Sequence, residues 1–513
     1  MSPQYLSPGV YVEEVDKGTK PIEGVGTAMA AFVGFAEKGP IGQPTLIANW
    51  NQFVSTFGGF VKGWYLAPAV YGYFNNGGGS CYITRLPGEI APSDGKAQAA
   101  LPAKAELELE GLTFQAIESA QGEGEITVEI SKPAEAAEDQ FNLSVRRGVT
   151  QELFENLTLK KGKGARNVVE VVNKESKLVR VVERAAPVLS APMPGTYPLT
   201  SVGVREVAVR EVSPAVIIGD VAARTGVVGF EVADDVTIVC APDLMSLYQA
   251  GRLTLEGVQA VQQAMLDHCA NMKDRFAILD CPPGLNPQQI KDWRMNVAGY
   301  DSKYGALYYP WIKVANPLGN GAGMLVPPSG HIAGVYARSD TERGVHKAPA
   351  NEVIRGCIGL EYQTTKTEQD SLNPVGINCI RSFPGRGIRI WGARTLSSDA
   401  SWRYINVRRL FNFVEKSIER GTQWVVFEPN DMDLWERVKR DITAFLTRVW
   451  RDGALFGAVP QESFYVKCDA ELNTFEIRDA GQLIVEIGLA PVKPAEFVIF
   501  RLSQYAGGAG IEE

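Results

Sequence analysis

The sequence predicts a multidomain protein of α/β and α+β class. An α/β domain is interrupted by a small β-rich insertion and followed by a C-terminal α+β domain, with strand-like arms at both ends. Three observations predict this. Apolar runs alternate with helical patterns over 24–90 and resume over 211–350, the signature of an α/β layer. Between them, 91–210 carries short alternating runs bounded by Gly, Pro or charge, which read as strands. The third is a long amphipathic helix, Asp431 to Asp452, inside a domain spanning 351–492.

The N-terminal arm, 1–23, contains SPGVYVEEV, where Val10, Tyr11, Val12 and Val15 supply strand formers between Pro8 and Gly18. A lone strand of this kind must pair elsewhere in the chain or on another chain. From Gly24 to Leu86 the pattern reads strand, helix, helix, strand: TAMAAFVGFA, a segment around Trp50 to Phe57, a second helix and CYITRL. The insertion offers LELEGLTF, EITVEI, FNLSV and LFENLTL as strands and ARNVVEVVNKE as a short helix. The α/β pattern returns with DDVTIVCAPDL, the helix LEGVQAVQQAMLDHCANM and the strand RFAILDCPPG.

Residues 300–400 are rich in Gly and Pro and read as loops that run over a surface, with His331 and His346 on them. INCIRSF and IRIWGARTL follow as two antiparallel strands, then the helix YINVRRLFNFVEKSIER. WVVFEPN, ESFYVKCD, GQLIVEIGLAP and AEFVIFRLSQ read as four further strands. The last lies in the C-terminal arm, 493–513, with Phe497, Val498, Ile499, Phe500 and Leu502 as its strand residues.

On the 431–452 helix, Leu434, Trp435, Val438, Ile442, Phe445, Leu446, Val449 and Trp450 form one apolar stripe. Arg437, Arg440, Arg448 and Arg451 follow one another at offsets of three, eight and three, within about 80° of one another on an ideal wheel. A solvated charged face is the ordinary meaning of such a pattern. The alternative is a docking face for an acidic partner.

The chain has 513 residues, 45% hydrophobic and 21% charged, with a formal net charge of −8. That mild acidity argues against a general nucleic-acid binder, which needs a basic excess. No basic segment precedes an apolar core at the N-terminus, and no run reaches the ~20 apolar residues of a membrane span. The expectation is a cytosolic chain without membrane insertion. Seven scattered cysteines, without a CxxC pair, indicate neither a disulfide framework nor a zinc site.

Catalytic motifs are scarce. FAILDCPPG ends an apolar strand on Asp280, as in ATPases that position Mg²⁺, but no GxxxxGK[ST] loop accompanies it. Three histidines, His268, His331 and His346, and no GxSxG or HExxH leave no recognisable hydrolytic constellation. The expectation is no enzyme, no cofactor and no metal.

YYPW, PPSGHIAG, SDTERGVHKAPAN, LNPVGINCIRSFPGRGIRIWGARTL, RYINVRR, WVVFEPND and APVKPAEFVIF occur in this order. Together with the N-terminal SPGVYVEEV and GVGTAMAAFVGFAEKGP, they resemble the tail sheath proteins of phages and of phage-tail-like contractile injection particles. The resemblance covers nearly the whole chain outside the insertion. It implies a subunit that stacks in helical rings around an inner tube, exchanges terminal strands with its neighbours, and contracts to drive the tube through a target envelope. Implied partners are other copies of the chain, the inner tube protein, baseplate and terminal cap proteins, and paralogous sheath subunits where a particle carries them. The implied place is a phage tail or tail-like particle assembled in a bacterial cytoplasm. On this reading Arg437, Arg440, Arg448 and Arg451 face the tube, and the insertion faces outward. The residue pattern alone leaves open a nucleotide-dependent enzyme built on Asp280 and a monomeric binding module.

Overall fold

β-Branched and aromatic runs pair side by side in the computed structural model. It describes residues 21–501 except 88–104, 110–111, 118–125, 134–139, 148–149, 161, 163–164, 177, 184–191, 202–211 and 320–322. The arm residues Val10, Tyr11, Val12, Val15 and Leu502 lie outside the described residues. Two units form: Gly88–Arg210, and the remainder of the chain.

The larger unit is built on eight strands: β1 (Ala30–Gly34), β2 (Thr45–Ile47), β3 (Cys81–Arg85), β4 (Ile238–Cys240), β5 (Phe276–Asp280), β6 (Gly305–Tyr309), β7 (Ile377–Phe383) and β8 (Gly387–Ile390). Their order across the sheet is β8-β7-β6-β5-β4-β1-β3-β2. The six central strands run parallel, and β8 and β2 add antiparallel edges. β1, β5 and β6 are buried at every position, as expected of parallel strands covered on both faces.

This pairing corrects the expected boundary at residue 351. β7 pairs in parallel with β6, Leu307 opposite Ile377 and Tyr308 opposite Asn378. Residues 377–390 therefore belong to the same sheet as β1 and do not start a separate domain. The pairing joins segments some seventy residues apart, and no local pattern announces it.

A second correction concerns 300–400. Within that loop-rich stretch Ser329–Arg343 is a fifteen-residue helix whose residues Ser329 to Ser339 are all buried. It packs against the helix Leu66–Asn75; these are α2 and α1. A helix covered all round has no polar face, so the 3.6-residue period that would reveal it is missing. Its glycines, which made it look like a loop, set the packing distance. A Cβ on Gly330 would run into Ala69 of α1, and one on Gly334 into Tyr73 and Asn76.

The C-terminal part pairs α3 (Ile405–Gly421) with α4 (Met432–Arg451) over a core that includes Leu410, Val414, Leu434, Val438, Ile442, Phe445 and Leu446. α4 follows the sequence reading closely. Asp431 caps it by accepting from the Leu434 amide, and Asp452 closes it. WVVFEPN is not a strand: Gln423–Val425 is a single 3₁₀ turn, and Phe427 sits in the left-handed region at φ 69°. A short apolar run does not by itself separate strand from other buried structure; here Trp424 and Val425 pack on the α3–α4 core. GQLIVEIGLAP forms a strand only over Glu486–Leu489 (β10), antiparallel to Phe464–Lys467 (β9).

In the smaller unit the strands of the insertion form two four-stranded antiparallel sheets. Leu112, Phe114, Val128, Phe141, Leu143, Val145, Val179 and Val181 fill its core, and the helix Val168–Glu175 adds Val168 and Val172.

The α1–α2 contact yields a stability test. Gly330→Ala should cost about 1–3 kcal/mol by overpacking, lowering the unfolding temperature of the larger unit. Gly481→Ala, a left-handed position with open space around it, should cost only about 1 kcal/mol through backbone strain. Equal losses in calorimetry would contradict the close-packing account.

Candidate functional site

In an open parallel sheet, ligands bind outside the carboxyl ends of the strands where the strand order reverses. Here that place lies beyond β1 and β4, and it is filled by the chain itself. Asp243, following β4, accepts from the Phe35 amide at 2.6 Å and from the Tyr65 amide. It thereby joins the end of β1 to the start of α1. Asp280, ending β5, accepts from the Ser329 amide at 2.9 Å and the Ser329 hydroxyl at 2.5 Å. Both of its oxygens are spent on the first residue of α2. Burial pushes each carboxyl up to about 7, against the pull of these donors. Asp280 is thus a helix cap drawn from a neighbouring strand.

The other polar candidates are also structural. His331 lies on α2 rather than on a loop, and burial pushes its imidazole down to about 4. His268 sits 3.1 Å from Arg275, and burial together with that guanidinium lowers it to about 4. His346 does lie outside regular structure, where burial also lowers its ring. All seven cysteines are free, and all but Cys357 are buried. Among the described residues no three His, Cys, Asp or Glu side chains gather to hold a metal. A cleft of 570 Å³ includes Asp234, Asp274, Lys416 and Arg420 in its wall, but Lys416 bridges Asp234 and Asp274 while Arg420 binds Asp234.

Asp280 and Asp243 carry a pH signature. A carboxyl whose folded-state pKa is raised adds stability that is fully present below the ordinary aspartate value near ~4, and that is lost as pH rises through about 7. Unfolding free energy of the larger unit should fall across that window, and Asp280→Asn should flatten roughly half of the fall. An unchanged slope in the variant would refute the assignment.

On α4 the four arginines differ in their commitments. Arg437 is half-buried, 3.5 Å from Glu428, with its guanidinium 5.3 Å from the centre of the Trp424 ring. Arg448 donates to the Ile22 carbonyl, and Ile22 is buried in the α3–α4 core. Arg440 is exposed and among the described residues pairs with its neighbour Asp441, at 3.3 Å. Arg451 is exposed and makes no ion pair among the described residues. Of the four, Arg437 and Arg448 are committed to contacts within the subunit.

The C-terminal arm leaves the larger unit after β10. Phe497, Val498, Ile499 and Phe500 are 71%, 70%, 79% and 83% exposed. They join no strand among the described residues. A run of neighbouring apolar side chains this open is a hallmark of an interaction segment. β9 and β10 form a two-stranded sheet whose outer edges meet no further strand among the described residues. Sequence reasoning missed Glu496, which roots this arm, because a lone glutamate after Pro494 carries no pattern. It also missed Phe427, fully exposed at its strained position.

Known proteins resemble this chain over nearly its whole length. Residues 243–396 match the phage tail sheath protein central domain, and residues 397–504 the phage tail sheath C-terminal domain. The chain is 27% identical to the tail sheath protein of Vibrio phage KVP40 over 49% of its own length. That match spans only 41% of the relative's length. The tail sheath protein of Burkholderia phage BcepMu is 24% identical over 97% of this chain and 96% of its own. The helical sheath of the anti-feeding prophage in its contracted state superposes with a TM-score of 0.57 at 25% identity, covering 98% of this chain and all of that one. Adjoining sheath domains match just over half of the sequence, and one relative runs its full length: the chain belongs to the phage tail sheath family.

Proposed function

We propose that this chain is the structural subunit of a contractile sheath. It polymerises as helical stacked rings around an inner tube and contracts to drive the tube through a target envelope. The observation that carries this reading is the exposed apolar segment Phe497–Phe500, leaving a unit that also bears an open two-stranded sheet. A strand without a partner and a sheet with free edges on one chain are complementary between copies. An arm from one subunit adds to the sheet of the next, and because donor and acceptor surfaces differ, the contact propagates instead of closing a dimer. The N-terminal strand Val10, Tyr11, Val12 and Val15 makes the second such link, and Leu502 extends the C-terminal one.

Contraction in this scheme draws on new contacts between subunits rather than on a nucleotide. Both Asp280 oxygens are engaged by Ser329, which favours a structural role for Asp280 over the enzyme reading. The tube, the baseplate and the terminal cap are the other partners, and the particle is assembled in a bacterial cytoplasm. The four arginines of α4 face the tube, with Arg440 and Arg451 making the contacts and Arg437 and Arg448 holding the face in place. Each wet contact contributes about 1 kcal/mol or less, weak enough to break on firing and multiplied over many copies. The insertion faces away from the tube.

Expressed alone at high concentration, the chain should form long hollow tubes with a helical surface in negative-stain electron microscopy. Single subunits that also fail to polymerise when co-expressed with a tube protein would overturn the reading. Arg440→Glu with Arg451→Glu should leave the subunit folded and the empty tubes intact while abolishing tube-filled particles. Normal filled particles would refute the arginine contact. Removing 91–210 should spare polymerisation, and a deletion variant that folds but forms no tubes would refute the outward placement.

A further inference from the structure

Immediately before the exposed arm segment, Glu496 is held from three directions. The Arg394 guanidinium binds it with both arms of its fork, Nε to Oε1 at 2.9 Å and Nη2 to Oε2 at 2.7 Å. Asn373 donates its side-chain amide to Oε1 at 2.6 Å, and the Tyr404 hydroxyl donates to Oε2 at 3.0 Å. The Arg394 and Glu496 side chains are only 12% and 18% exposed, whereas Phe497 is 71% exposed. Between one residue and the next the chain passes from a sheltered four-bond site to open solvent.

The partners are anchored in turn. Asn378 of β7, fully buried, accepts from the Arg394 amide at 2.7 Å and donates to the Arg394 carbonyl at 2.8 Å. The same Asn378 amide donates to the Leu307 carbonyl of β6 at 3.2 Å. Arg394 also reaches the Asn373 carbonyl at 3.3 Å, and Tyr404 immediately precedes α3. A continuous set of polar contacts therefore runs from the eight-stranded sheet to the root of the arm. Bidentate, charge-assisted pairs of this kind fix direction as well as distance.

We infer that Glu496, gripped by Arg394, Asn373 and Tyr404, is a clamp that fixes the root of the C-terminal arm to the sheet. It sets the pivot between Glu496 and Phe497 and so positions the arm for capture by a second copy of this chain. Glu496 is a positioning residue: the arm makes the contact between subunits, and the clamp decides where the arm starts and how far the sheet's motion is handed to the neighbour. The capture step rests on the strand-donation reading above; the clamp itself does not.

Burial works against the charge on Glu496, yet the Arg394, Asn373 and Tyr404 donors outweigh it and hold the carboxyl below the usual glutamate range. The grip is present above that range and released as pH falls through the lowered value.

The test uses the full chain. Hydrogen exchange over residues 490–497, measured on the dispersed subunit, should be slow in the wild type. It should be about tenfold faster in Glu496→Gln, which keeps the shape and removes the charge. In Glu496→Lys the protection should be lost, and Arg394→Glu added to it should restore the protection. The unfolding temperature of each variant separates release of the arm from loss of the fold. In polymerisation assays Glu496→Gln should raise the concentration needed for tube formation about tenfold, and the charge-swapped pair should recover it. Exchange unchanged by Glu496→Gln in the folded subunit would overturn the clamp. Truncation after Glu496 is the control for the reading beneath it. Tubes from the truncated chain would overturn strand donation by this arm, while the exchange result would still decide the clamp. Tubes from Glu496→Lys as readily as from wild type, with none from the truncated chain, would overturn the positioning role.

Discussion

A helix buried on every side must have each of its polar groups answered within the protein, because an unpaired one costs its full desolvation. Ser329–Arg343 is buried over Ser329 to Ser339 and answers many of its polar groups, His331 Nδ1 and Ser339 Oγ excepted, and much of the larger unit is arranged around it. Asp280 from the sheet receives the amide and hydroxyl at its start. The Tyr336 hydroxyl meets that of Tyr308, from β6, at 2.7 Å. Arg338 donates to the Asn76 carbonyl at the end of α1 and to Val353. Near the end, Asp340 takes both nitrogens of Arg409 from α3 and the Thr27 hydroxyl. Both members of that ion pair are 4% exposed, the setting in which removing one partner alone costs most. Sheet, α1, α3 and the segment leading into β1 thus share one set of obligations.

What was legible in the sequence follows from the same physics. α4 has a solvent face, so its apolar period is clear, and Asp431 and Asp452 mark its ends. The strands of the insertion alternate because each sheet is covered on one face, as the pattern of Ile126–Ser131 shows. From Ser329 to Ser339 α2 has no solvent face, and Gly330 and Gly334, needed for its close approach to α1, carry the composition of a loop. The β6–β7 pairing is invisible for another reason, since strands buried on both faces do not say which neighbour they take.

The candidate surfaces were legible to differing degrees. The apolar run of the C-terminal arm stands out because nothing in the folded unit shelters it. The arginines of α4 share a helix face by spacing alone, but spacing could not tell that Arg448 turns to the Ile22 carbonyl or that Arg437 stacks on Trp424. Asp280 was singled out by its place at a strand end, and that place is what makes it available to α2. The same geometry that positions an acid for metal chemistry serves equally well to cap a helix.

Phe497–Phe500 also bears on the solubility of the unassembled subunit. Four strand-forming apolar residues in the open are an invitation to unspecific cross-β stacking, which needs about six or seven such residues in register. The run is stopped short on both sides, by Glu496 and Pro494 before it and Arg501 after it. Charge and proline at the flanks of an unavoidable sticky strand act as gatekeepers. A run of four is shorter than the length such stacking needs, so the segment by itself is a poor seed for it.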